Sequence, residues 1–339
     1  GEELLRDLPD ETRRLLDKLG ITGLEMDTFS NLKPQSVWNQ MLSLFSSQAG
    51  SPVRACGVVL GIILLCAWMD GLKHTVREPG SSEVFVICAL AACGTVIVPI
   101  VSCIRSVSEA AESASIFMTS YVPVYAGVLL TSGQAATAVS YQSVVLFAAE
   151  LISLLASGVV VPLMTISLAL GLTGSVTPGM KLDAAGNLMS KAAAWLLGLC
   201  CTLFVGLLSL QSLAGAAADT LGGRAVKFTL SSFVPVVGNS LGEAFSTIRS
   251  CLHLLKSTLG GFGILATALI VLPPLLECVA WTLGLSLCVM ASEMFGLTTL
   301  TTLLKAAQSV VKTLIGVLAA CAMFLIVSTA IVTMSMPAG

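Results

Sequence analysis

The chain has 339 residues, of which 55% are hydrophobic and 11% charged, with a mean hydropathy of +0.94 and a formal net charge of −2. That composition excludes an ordinary water-soluble domain, and the lack of any block of like charge excludes a nucleic-acid partner. Apolar runs of about 17 to 25 residues, enough to cross about 30 Å of hydrocarbon at 1.5 Å per residue, predict an all-α, polytopic transmembrane helical bundle in the lipid bilayer, not a barrel.

The chain opens at Gly1 with neither a methionine nor an apolar leader, as a cleaved secretory signal peptide or a truncation would leave it. With a signal removed, the N-terminus lies outside the cytoplasm. Residues 1–52 are assigned to an extracytoplasmic, amphipathic helical region and residues 53–339 to the membrane domain. In the first region Asp10 is placed as an N-cap, Leu15, Leu16 and Leu19 as an apolar stripe, and Gly20 as a stop. A second helix begins near Pro34 and sets Val37, Trp38, Met41, Leu42 and Phe45 on one side. It suits the membrane surface, or a small cap folded on the membrane domain.

Apolar runs follow at 53–68, 84–104, 144–172, 192–210, 262–291 and 310–332. The first contains GVVLG at 57–61, whose GxxxG spacing permits close helix contact. The runs 144–172 and 262–291 are about 45 Å long if helical, and proline interrupts each, at Pro162 and at Pro273 with Pro274. Each is either a kinked, tilted span or a hairpin of half-spans, so the count is about six to eight. Glu150 and Glu277 lie inside these two runs. A carboxylate at membrane depth normally faces protein or water and is either a pathway group or a structurally paired one.

Two shorter segments resemble each other: SYVPVYAGVLLTSG at 120–133 and SFVPVVGNSLGEAF at 232–245. Superposing their VPV triplets gives an offset of about 112 residues. That shift also brings 84–104 over 192–210 and Pro162 onto Pro274. The pattern predicts an internal duplication, with repeat units at about 84–190 and 192–334, of the sort that encloses a pathway between related halves. Proline disfavours helix at the residue before it and tolerates a helix start, so each VPV segment is expected to be a break: an interfacial elbow or a re-entrant turn. Pro123, Phe233, Pro235 and Gly238 are the candidate residues there. With the N-terminus outside and six crossings, Lys73, Arg77, Lys181, Lys191, Lys305 and Lys312 face the cytoplasm.

The chain contains no HExxH, GxGD or Walker A motif, and its two histidines, His74 and His253, lack ligand-spaced neighbours. No catalytic, cofactor or metal residue is assigned, and the chain is not expected to be an enzyme. The eleven cysteines include no CxxC and sit mostly in apolar runs, as small packing residues do.

SSFVPVVGNSLGEAF at 231–245, AGAAADTLGGRAVKF at 214–228, the matching SYVPVYAGVLLTSG and GILATALIVLPPLLECVAWTLGLSL at 263–287 together resemble the stage III sporulation protein AE family of endospore-forming Firmicutes. FVPVVG at 233–238 is the most specific part. The resemblance implies a subunit made in the mother cell and placed in the mother-cell-derived membrane around the forespore. There it would join other membrane and ring-forming subunits of its operon, and a separate ATPase, in a secretion-like channel required for late forespore development. It carries over no catalytic residue. Other readings are a self-sufficient secondary transporter coupled through Glu150 or Glu277, or a structural membrane anchor.

Overall fold

The computed structural model describes residues 10–18, 34–73, 81–176, 182–233 and 238–334. Its elements are α1 (Asp10–Lys18), α2 (Pro34–Lys73), α3 (Ser81–Thr131), α4 (Ala135–Leu155), a π turn (Ala156–Val160), α5 (Val161–Val176), α6 (Leu182–Phe233), α7 (Gly238–Met294) and α8 (Thr298–Met334). No strand occurs among the described residues, so the fold is the expected all-α bundle. Six stretches are long and apolar enough to cross a membrane: Leu42–Met69, Leu90–Thr131, Ala135–Gly174, Ala184–Asp219, Leu254–Met294 and Thr298–Ala330. Each overlaps one of the six apolar runs. Leu254–Met294 is the most enclosed, at 56% buried, and Ala184–Asp219 the least, at 22%, which makes α7 the central pillar and α6 a peripheral helix.

The prolines interrupt less than the sequence predicts. Pro52 lies inside α2, so helix runs straight through the position chosen as the boundary between the N-terminal region and the membrane domain. The second amphipathic helix is therefore continuous with the first span. Pro123 lies inside α3 with Pro99, and Pro273 and Pro274 lie inside α7. The first VPV segment is thus neither an elbow nor a re-entrant turn. The core-facing sides of Tyr121 and Val122 are fully buried while Pro123 is exposed, so tertiary packing holds the turn helical while the ring points outward. The second VPV triplet, with Pro235, lies outside the described residues.

Pro162 has a visible local effect. It carries no N–H, and its ring crowds the carbonyl four residues back. The chain widens by a π turn just before it, where the Val161 N–H bonds to the Ala156 carbonyl five residues earlier. α4, the π turn and α5 therefore form one rod, and the run at 144–172 crosses once. The run at 262–291, inside α7, also crosses once.

Two tight turns build the hairpins. Gly133 (φ 78°) ends α3 and Gly296 (φ 72°) ends α7, both in the left-handed region open to glycine. Around the first, Gly133 N–H bonds to Leu130 O and Gln134 N–H to Leu129 O, both at 3.0 Å; around the second, Gly296 N–H bonds to Glu293 O and Leu297 N–H to Ser292 O, also at 3.0 Å. This is the Schellman arrangement, which satisfies the last carbonyls of each helix.

Helices meet through small residues, as expected where lipid gives apolar side chains no reason to prefer protein. Ser167 Oγ donates to Gly186 O at 2.7 Å and lies 2.8 Å from Ser190 Oγ, all buried between α5 and α6. Gly171 of α5 abuts Ala306 of α8, and Gly284 of α7 abuts Cys56 of α2. The GxxxG pair behaves otherwise: Gly57 and Gly61 are exposed, and a Cβ added at either would meet no neighbouring helix within 4 Å. Ten described cysteines are free thiols, seven of them buried, in keeping with a packing role. Leu15 and Leu16 of α1 are buried in the same core, while Leu19 and Gly20 lie outside the described residues.

A side chain at Gly186 would place Cβ 2.9 Å from the Ser167 carbonyl oxygen, whereas Gly198, on the same helix, has open space. Gly186→Ala is expected to destabilise the detergent-solubilised protein by about 1–3 kcal/mol, and Gly198→Ala to leave it within error. Thermal unfolding of both variants checks this; equal midpoints would refute the contact.

Candidate functional site

α3 repeats an aromatic residue every fourth position, and so lines one helix face with rings. Phe117 and Tyr121 stack with centroids 5.4 Å apart, and Tyr121 and Tyr125 with centroids 5.7 Å apart. Tyr141 of α4 meets Tyr125 edge-on at 5.3 Å, and Phe262 of α7 meets Phe117 at 6.3 Å. All three tyrosines of the chain belong to this ladder. Gly263 of α7 leaves room for the Tyr121 ring, and the Tyr121 hydroxyl donates to Leu259 O at 2.9 Å. The Tyr125 and Tyr141 hydroxyls are buried without a hydrogen-bond partner among the described residues, and Thr329 of α8 faces that of Tyr141. Tyr141 also lines a small recess between α4 and α6 with Thr137, Ser140, Leu208, Gln211 and Ser212.

A charged junction closes the end of this ladder. Gln134 precedes α4 without capping it by its own side chain. The cap comes from another helix: Asp219 of α6 accepts from Ala136 N–H at 2.8 Å and from Thr137 N–H at 3.0 Å. A carboxylate there meets the positive end of the α4 dipole and satisfies two orphan donors. Gly215, one turn earlier on α6, allows the approach, since a Cβ would lie 3.1 Å from Thr137. Lys256 of α7 is only 4% exposed, donates to Gln134 Oε1 at 3.0 Å and feels the Asp219 charge. The α3–α4 turn, α6 and α7 are thereby tied at one point.

The sequence-predicted residues are not gathered into one site. Glu277 is half-buried on α7, where Cys103 Sγ of α3 lies 3.6 Å from its Oε1. Glu150 is exposed on α4 and makes no hydrogen bond or ion pair among the described residues. The two carboxylates also sit at different heights along α3: Glu277 is level with Cys103, and Glu150 lies about 20 Å farther along. Pro162 is exposed and Pro274 buried. Phe233 ends α6 and Gly238 begins α7. Residues 238–242 read GNSLG, which has the GxSxG spacing of a hydrolase elbow. That elbow requires a strand directly before its helix; α6 ends at Phe233, and residues 234–237 lie outside the described residues. No group of three or more His, Cys, Asp or Glu is placed to hold a metal among the described residues.

Sequence reasoning passed over Asp219, Lys256 and Gln134. The available signal was a lone charge in each of two otherwise uncharged stretches, AGAAADTLGG and LHLLKSTLGG. Asp219→Ala and Lys256→Met are each expected to lower stability by about 1–2 kcal/mol. The double variant should lose less than the sum, because each single change strands the other's partners. Unfolding measurements on the four proteins check this; strict additivity would show that the charges act independently.

The stage III sporulation protein AE family model matches residues 24–335. Over 239 residues the chain is 26% identical to the stage III sporulation protein AE of Bacillus subtilis (strain 168), a match covering 69% of this chain and 59% of that protein. The chain thus matches less than two thirds of that relative's length. No solved structure matches it. With the family model covering nearly all of the six-span bundle, this sporulation membrane protein belongs to the stage III sporulation protein AE family.

Proposed function

We propose that the chain is a membrane subunit of a multiprotein channel between mother cell and forespore, required for late forespore development. It sits in the mother-cell-derived membrane with its N-terminus outside the cytoplasm. It acts without catalysis of its own, beside other membrane and ring-forming subunits of the same operon and a separate ATPase. The observation that carries this reading is the family match over residues 24–335 on a bundle of six apolar helices. The orientation is supported by exposed Lys191, Lys305 and Lys312, which fall toward the end of the bundle that the positive-inside rule assigns to the cytoplasm. Lys305 is paired there with Glu293 beside the α7–α8 turn.

Glu277 favours a second reading, a secondary transporter. It is the half-buried carboxylate of α7, three residues beyond the Pro273–Pro274 pair, at a depth where an ionisable group normally faces protein or water. The two readings separate by experiment. Deleting the gene in its host should abolish heat-resistant spores and late forespore gene expression, and an intact copy should restore both. Normal sporulation by the deletion strain would overturn the channel reading. Glu277→Gln should leave complementation within about twofold if the protein is a channel subunit. Loss of complementation, together with ion-driven solute uptake by the protein reconstituted alone, would favour the transporter.

A further inference from the structure

Arg105, Glu109 and Glu112 of α3 and Glu150 of α4 are all exposed, and they lie on neighbouring rods of one hairpin. Contacts between the rods fix their height in the bundle. Tyr125 meets Tyr141 across the hairpin, so stepping back thirteen residues to Glu112 corresponds to stepping forward thirteen to Leu154. Asp219 meets Ala136, and Ser190 meets Ser167, so the α4–α5 rod and α6 run antiparallel in a constant register. Moving fourteen residues from Ala136 to Glu150 therefore corresponds to moving fourteen back from Asp219 to Val205. In this register Arg105 through Glu112 lie level with residues 194–201 of α6, and Glu150 lies level with Val205.

The outer face of α6, which packs beside α4, is uncharged at the same height. No charged residue occurs between Lys191 and Asp219, and Trp195, Leu199 and Leu203 point outward at 70%, 41% and 59% exposure. α8 is level with α6 there through the stacked rings of Phe204 and Phe324, and beside them Met323 is exposed at 57%. This stretch lies inside the Ala184–Asp219 span, whose length and composition suit hydrocarbon. At that depth a charged side chain faces protein or water, and a short glutamate at mid-span cannot reach the headgroups as a lysine near an end can. Glu109 and Glu112, three residues apart on one helix face, also repel each other unless water screens them.

We infer that the α3–α4 face bearing Arg105, Glu109, Glu112 and Glu150 borders water and not lipid, as the wall of an aqueous conduit. Its three carboxylates against one guanidinium make that wall attractive to hydrated cations. The inference rests on the channel-subunit reading and says which side of the subunit faces the conduit.

The test uses the full chain in its host membrane during sporulation. Single cysteines are placed by Glu109→Cys, Glu112→Cys, Glu150→Cys, Leu199→Cys and Leu203→Cys, with Cys200 and Cys251 changed to alanine. A charged, membrane-impermeant methanethiosulfonate reacts with hydrated thiolate. It should modify the cysteines at 109, 112 and 150 at least tenfold faster than those at 199 and 203. Equal rates overturn the inference: both fast would place this height outside hydrocarbon, and both slow would make the charged face dry. In the unaltered protein, a water-soluble carbodiimide should modify Glu109, Glu112 and Glu150, read by mass spectrometry; modification by a hydrophobic carbodiimide alone also overturns it. Failure of the channel reading appears separately, as normal sporulation without the gene.

Discussion

Inside hydrocarbon a peptide N–H finds a partner only within the protein, and a helix is the arrangement in which each segment satisfies its own backbone. The rest of this fold follows from that constraint. It explains why the chain absorbs its prolines instead of breaking at them. Ending a helix at Pro123 or Pro274 would strand up to four carbonyls, whereas continuing through costs one hydrogen bond per proline and a local adjustment. At Pro162 the adjustment takes the form of a π turn. Where the chain does reverse sharply, at Gly133 and Gly296, a left-handed glycine lets two backbone N–H groups close the helix end.

Once the rods exist, lipid removes the usual drive to bury apolar side chains, and closeness of approach decides which rods pair. Gly186 against Ser167, Gly171 against Ala306 and Gly284 against Cys56 are contacts of that kind. The junction of Asp219, Gln134 and Lys256 adds direction. A buried lysine and a half-buried carboxylate tolerate few arrangements, so this contact fixes the register of α6 and α7 on the α3–α4 hairpin more tightly than apolar packing alone. The same register places the charged stripe of α3 and α4 at the height of the uncharged outer face of α6. The exposed face of α3 and α4 thereby carries charge where the adjoining outer face of α6 is apolar.

Much was legible in the sequence because it depends on local composition. Six apolar runs, their helical nature and the small-residue role of the cysteines follow from length and polarity, and the family from the order of a few segments such as FVPVVG. The behaviour of the prolines was not legible. Whether Pro123 ends a helix depends on what holds Tyr121, Val122 and Tyr125 in place, and those neighbours come from α4 and α7. Asp219 and Lys256 were passed over for a related reason: Asp219 lies 83 residues from Ala136 and Lys256 122 residues from Gln134, and neither belongs to a recognisable spacing.

The amino-acid sequence by itself determined that this protein crosses a membrane as helices, roughly where, and in which family it stands, since transfer into hydrocarbon is a property of each segment taken alone. Tertiary structure decided which prolines bend the chain, which lone charges are joined and which helix face is left charged. Those outcomes depend on the register between rods distant in sequence, and no single segment carries that register.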